Sequence, residues 1–136
     1  MNAFATCTDW LYAKVGVRFP RLKIALSESG IGWVPLLLDR LDYLSRFGSA
    51  WDEPSISVVE VFRRNFWLSS FFDPLTYDLR DHIGVDRIMF ESDYPHFDSS
   101  WPNTQDILHS QIRHFTPDEI AKVTHQTASA LYRHPF

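Results

Sequence analysis

The sequence predicts an α/β domain built on a parallel sheet, and three observations predict it. Short apolar runs at 22–26, 65–72 and 87–90 have strand character, and they are separated by segments whose apolar residues recur at helical spacing. Helical crossovers between successive strands favour parallel pairing with right-handed connections. The chain has 136 residues, 45% of them hydrophobic and 15% aromatic, which suffices for one packed unit spanning 1–136.

Taken in order, residues 2 to about 16 carry Phe4, Cys7, Leu11 and Val15 at helical spacing with Trp10 beside them, which predicts an amphipathic helix. Pro20 disfavours helix at Phe19, so the chain leaves that helix and enters the first strand at Leu22. Glu28 follows the strand, and Gly30 and Gly32 permit tight backbone before Trp33 opens the next helix. Two readings of Glu28 stand open: a ligand at a strand end, or an acid favoured near a helix start. Residues 33–47 place Trp33, Leu37, Leu41 and Leu44 on one stripe, and Gly48-Ser49-Ala50 closes that helix.

Ile56, Val59, Phe62 and Phe66 mark a further helix running into the second strand. Arg63 and Arg64 at its end have two readings, a reach toward a substrate anion or a solvated, ion-paired helix end. Asp73-Pro74 makes a turn, and residues 75–82 hold a short helix closed by Gly84, which makes His82 a helix-end residue. After the third strand, Asn103 or Thr104 caps a helix to about Ile112. Thr116-Pro117-Asp118-Glu119 then gives a start signal with a capping Thr, Pro at the first helical position and Glu three residues on. The last helix carries Ile120, Val123, Ala128, Leu131 and Tyr132. His109, His114, His125 and His134 stand at spacings that suit no metal site and are expected at the surface.

The stretch richest in chemistry is Arg87-Ile88-Met89-Phe90-Glu91-Ser92-Asp93-Tyr94-Pro95-His96-Phe97-Asp98. Apolar strand turns into three carboxylates and an imidazole, and the carboxyl ends of parallel strands are where ligands bind in α/β folds. A plain turn built on Asp93-Tyr94-Pro95 is the competing reading. The net charge of −4 without a Lys/Arg run disfavours nucleic acid and anionic membranes as partners. Cys7 stands alone, which excludes an internal disulfide and a Cys-rich zinc site and fits a reducing compartment. With no leader pattern and no apolar run approaching the ~20 residues of a membrane span, a cytoplasmic location is expected.

The segments Phe19-Pro20-Arg21-Leu22-Lys23-Ile24, Ser27-Glu28-Ser29-Gly30-Ile31-Gly32-Trp33, Phe62-Arg63-Arg64-Asn65-Phe66-Trp67, Gly84 through His96, and Ser99-Ser100-Trp101-Pro102 occur in a recognisable order. They resemble the C-terminal half of the amidohydrolase-related (amidohydrolase 2) metal-dependent hydrolases, the group that includes aminocarboxymuconate-semialdehyde decarboxylase. The resemblance implies a (β/α)8 TIM barrel of which these are the sixth, seventh and eighth strands. It further implies that Asp93 binds the metal or handles the proton of the attacking water, with His96 beside it. Substrate contacts are expected from Glu28, Arg63 and Trp67.

Departures from the pattern are equally informative. No His-x-His pair occurs, Glu28 stands where the decarboxylases carry histidine, and Thr127 replaces the usual Asn. A TIM barrel typically takes about 250 residues, so roughly half is absent. The expected activity is that of a metal-dependent hydrolase or decarboxylase acting on a small carboxylated or cyclic substrate. A divalent metal, zinc first, belongs to a complete member, whereas this chain alone is expected neither to hold metal tightly nor to turn over substrate. A homo-oligomer or an N-terminal half-barrel is the expected protein partner. The alternative is an inactive truncated relative acting as a binding or assembly module.

Overall fold

The computed structural model describes residues 2–48 and 51–135. Two helices, α1 (Asn2–Tyr12) and α2 (Val15–Arg18), precede the first strand, β1 (Ile24–Leu26). Helices α3 (Val34–Ser45) and α4 (Val58–Asn65) lead to β2 (Phe66–Ser70), and a 3-10 turn (Tyr77–Leu79) runs into α5 (Arg80–Ile83). A second 3-10 turn (Val85–Arg87) delivers β3 (Ile88–Phe90), followed by α6 (Thr104–Gln111), α7 (Pro117–Ala121), a π-helical turn (Lys122–Gln126) and α8 (Thr127–Tyr132). Among the described residues the sheet has strand order β1-β2-β3, with both pairings parallel. Ile24 aligns with Phe66 and Leu68 with Ile88.

The two faces of the sheet differ because side chains alternate along a strand. Ile24, Phe66, Leu68 and Ile88 turn toward the helices and join Cys7, Leu11, Val34, Leu37, Val61 and Phe62 in the main core. Phe62 and Phe66 stack with ring centroids 5.6 Å apart, which couples α4 to β2 at their junction. On the other face Trp67 and Met89 pack with Leu131, against which Ala25 and Ala128 also rest.

A second coupling fixes where β1 starts. Asn65, fully buried, donates through Nδ2 to the carbonyl of Leu22 at 2.7 Å, and Arg64 Nη2 donates to the carbonyl of Gly16 at 2.9 Å. Gly16 is required there, since a Cβ would stand 2.6 Å from Val61 Cγ1. Helix starts are equally explicit: Ser57 with Glu60 and Thr116 with Glu119 form reciprocal capping boxes.

Several expectations need correction. The opening helix is two helices, because Lys14 takes a left-handed φ of 55° between them. Trp10 is 40% exposed, outside the buried Cys7–Leu11 stripe. The second strand stops at Ser70, since Phe71 and Phe72 turn away before Asp73, and Phe72 is 63% exposed. Ser49 and Ala50, expected to close α3, lie outside the described residues. Among the described residues no helix is long and apolar enough to cross a membrane.

Candidate functional site

Parallel strands gather everything that follows them at one edge of the sheet, and here the followers are acidic. Glu28 lies two residues beyond β1, Asp73 three beyond β2, and Glu91 and Asp93 one and three beyond β3. The backbone N–H of Glu28 donates to Ser69 Oγ at 2.9 Å and to Glu91 Oε1 at 3.0 Å, so one amide ties all three strand ends together. The Glu91 N–H in turn donates to the carbonyl of Ser70 at 3.0 Å. Asp73 is held by Ser70 Oγ at 2.5 Å, receives the N–H of Ile31 at 3.2 Å, and donates its own N–H to Gln111 Oε1 at 2.7 Å.

Glu28 and Asp93 both adopt left-handed backbone, with φ of 50° and 57°. For residues with a Cβ this conformation costs on the order of 1 kcal/mol, and such outliers concentrate at functional sites. Glu91 has its carboxyl pKa raised, chiefly by burial and further by the charges of Asp93 and Glu28, against the lowering effect of the Ser69 hydroxyl and the Glu28 N–H. Those interactions place Glu28, Glu91 and Asp93 in one electrostatic neighbourhood.

Beyond Asp93 the loop folds over itself. Ser99 Oγ and the Ser100 N–H both donate to the carbonyl of Ser92, at 2.7 and 3.0 Å, and Tyr94 packs edge-on against Trp101 at 5.4 Å. His96 Nδ1 lies 2.9 Å from Asp93 Oδ2 and 2.6 Å from Asp98 Oδ1. Ionised carboxylates only accept, so Nδ1 carries the proton. Loss of hydration lowers the imidazole pKa here, but Asp93 and Asp98 outweigh it, and the net shift is upward.

The five residues expected from the sequence separate into two groups. Glu28, Asp93 and His96 lie at the carboxyl edge. Arg63 does not: its Nη2 donates to the carbonyl of His82 at 3.0 Å on the helical layer. Trp67 sits near the start of β2, 7% exposed, with the Arg87 guanidinium 4.6 Å and the Lys23 ammonium 5.6 Å from its ring. Neither side chain shares a hydrogen bond with Glu28, Asp93 or His96 among the described residues. Ser69 and Asp73 were missed, whereas Glu91, one of the three carboxylates of the 87–98 stretch, continues the Arg87–Met89 alternation and so shares a face with Met89.

A divalent metal tests poorly against these residues. The ligand atoms of Asp93, His96 and Asp98 lie within 4.8 Å of one another, which brings together two carboxylates and one imidazole. Zinc usually takes about four donors, so these residues alone do not fit a complete centre.

The model of the amidohydrolase family matches residues 3–134. The chain belongs to the amidohydrolase family. Among solved structures this chain is similar to an amidohydrolase from Mycobacterium avium subsp. paratuberculosis K-10, at 28% identity and a TM-score of 0.79, covering 93% of this chain and 32% of that one. It is also similar in fold to 5-carboxyvanillate decarboxylase from Sphingomonas paucimobilis, at 24% identity and a TM-score of 0.76, covering 95% and 39%. A third is dihydroxybenzoic acid decarboxylase from Polaromonas sp. JS666 with bound manganese and the inhibitor 2-nitroresorcinol, at 22% identity and a TM-score of 0.72, covering 93% and 38%. The chain thus spans between 32% and 39% of the length of these structures. Comparison with curated proteins gives no match.

Proposed function

We propose that this chain supplies the last three strands of a (β/α)8 barrel, and with them part of the active site of a metal-dependent hydrolase or decarboxylase. The substrate class is a small carboxylated or cyclic molecule. One observation carries the reading: in a member of this family, Glu28 and Asp93 emerge from parallel strands at the same edge, both on left-handed backbone, with Asp93 hydrogen-bonded to His96. In the complete enzyme Asp93 contributes one carboxylate to a divalent metal, zinc or manganese, or accepts a proton from water. His96 holds Asp93 in place through Nδ1, and Glu28 faces the substrate. The remaining ligands come from strands outside these 136 residues, supplied by a longer polypeptide, a half-barrel partner or a second copy. Residues 1–136 act as one structural unit, in a reducing cytoplasmic setting that suits the lone Cys7.

The test is Asp93→Asn in the complemented enzyme. Loss of a metal-binding or proton-accepting carboxylate is expected to lower kcat by about a hundredfold or more with the fold intact. Turnover equal to that of the unaltered enzyme removes Asp93 from the mechanism. A second reading is favoured by the open sheet: among the described residues β1 and β3 each pair on one side only. On that reading the chain is a non-catalytic assembly module. Stoichiometric metal in the isolated chain would refute it.

A further inference from the structure

The opposite end of the sheet carries a different chemistry, which the proposed reaction does not use. A cavity of about 250 Å³ opens there, lined by Lys23, Trp67, Asp86, Arg87, Lys122, Thr127 and Leu131 among others. Lys23 immediately precedes β1, Arg87 immediately precedes β3, and Trp67 is the second residue of β2, so parallel strands gather this cluster as they gather the acids at the far edge.

Its polar groups are under-used. Thr127 is 6% exposed, and its Oγ1 is buried with no hydrogen-bond partner among the described residues. Arg87 Nε is likewise buried and unpartnered. The guanidinium meets one carboxylate, Asp86, through Nη2 at 3.3 Å, and Lys122 is paired with Asp118 at 2.7 Å. Lys23 has no ion pair among the described residues and rests its ammonium on the Trp67 ring. Buried donors left without acceptors are costly, and two of them beside the exposed Lys23 ammonium around one cavity call for an acceptor with negative charge. Asp86 stands on the wall and disfavours a dianion, while Trp67, Ala130 and Leu131 offer apolar surface to a hydrocarbon body.

We propose that this cavity binds a small organic monocarboxylate, its oxygens taken by Arg87 Nε, Thr127 Oγ1 and the Lys23 ammonium, its carbon skeleton lying along Trp67 and Leu131. The site is separate from the Glu28–Asp93 edge and does not depend on the proposed reaction.

Benzoate is the probe, titrated into the 136-residue chain at constant ionic strength and followed by the Arg87 Nε–H and Trp67 indole resonances. Saturable shifts are expected with benzoate, and weaker ones with acetate. Lys23→Gln and Thr127→Val are each expected to weaken benzoate binding about fivefold, since each removes one donor. Lys23 is exposed, so its substitution leaves the fold in place even where that of Thr127 does not. Non-saturating shifts equal to those of chloride would overturn the proposal. So would phosphate binding as tightly as benzoate, shifts centred on Glu28 and Asp93, or wild-type affinity in the Lys23 variant.

Discussion

The two ends of the sheet are made from the same three strands and have opposite characters. At the carboxyl ends stand Glu28, Asp73, Glu91 and Asp93, with left-handed backbone at two of them. At the amino ends stand Lys23 and Arg87, both over the ring of Trp67. Between them lie strands of three, five and three residues, a separation of roughly 10–17 Å at about 3.3 Å per residue. Parallel pairing therefore sorts charge along the strand axis, because it collects every entry residue at one edge and every exit residue at the other. In an antiparallel sheet of the same segments the acids and bases would alternate and largely neutralise one another.

The largest expected effect strikes what both ends share. Phe66 is fully buried, and Phe66→Ala is expected to cost about 3–5 kcal/mol in urea unfolding, with both clusters lost together. A cost below about 1 kcal/mol would mean that β2 is not the common scaffold.

Acid tests the helical cover next. Arg80 Nε meets Glu119 Oε1 at 2.6 Å, with side chains 15% and 16% exposed, joining α5 to α7. Arg80 holds the Glu119 carboxyl down, from 4.5 to about 2, with help from the Thr116 N–H and hydroxyl. A depressed carboxylate stabilises fully above its unfolded pKa, and the contribution disappears as pH falls from about 4.5 to about 2. Glu119→Gln is expected to flatten that part of the stability profile, measured by thermal unfolding against pH. A profile of unchanged slope would assign the acid sensitivity elsewhere.

The smallest effect is confined to the carboxyl edge. Asp93 and Asp98 raise the His96 pKa above 6.5. Asp98→Asn removes one of them, and the His96 midpoint read by NMR is expected to fall toward 6.5 with no detectable change in unfolding. The sign is that of a raised group: the stabilising contact is complete below the unfolded pKa and fades as pH climbs through the folded one. A midpoint that stays put would show that Asp93 alone sets it.

Much of this contrast was legible in the sequence. The strand cores at Ile24, Phe66 and Ile88, the capping box at Thr116 and Glu119, and the acids after the first and third strands all follow from local pattern. What escaped was set at long range. Arg63 looked free to reach a ligand, yet it is used on the carbonyl of a helix end 19 residues away. Trp67 lies inside a strand run where only burial and alternation tell which end it serves. Gln111 stapling the loop after β2, through bonds to Asp73 and Phe71, has no local signature. The π-helical turn at Lys122–Gln126 has no evident signal in its composition.

Cys7 adds a practical corollary. Its thiol is fully buried beneath α1, and burial pushes its pKa up to about 12. A maleimide offered at neutral pH meets almost no thiolate while the chain is folded. Because the sequence has one cysteine, the labelling rate becomes a clock for how often this α-helical layer lifts away.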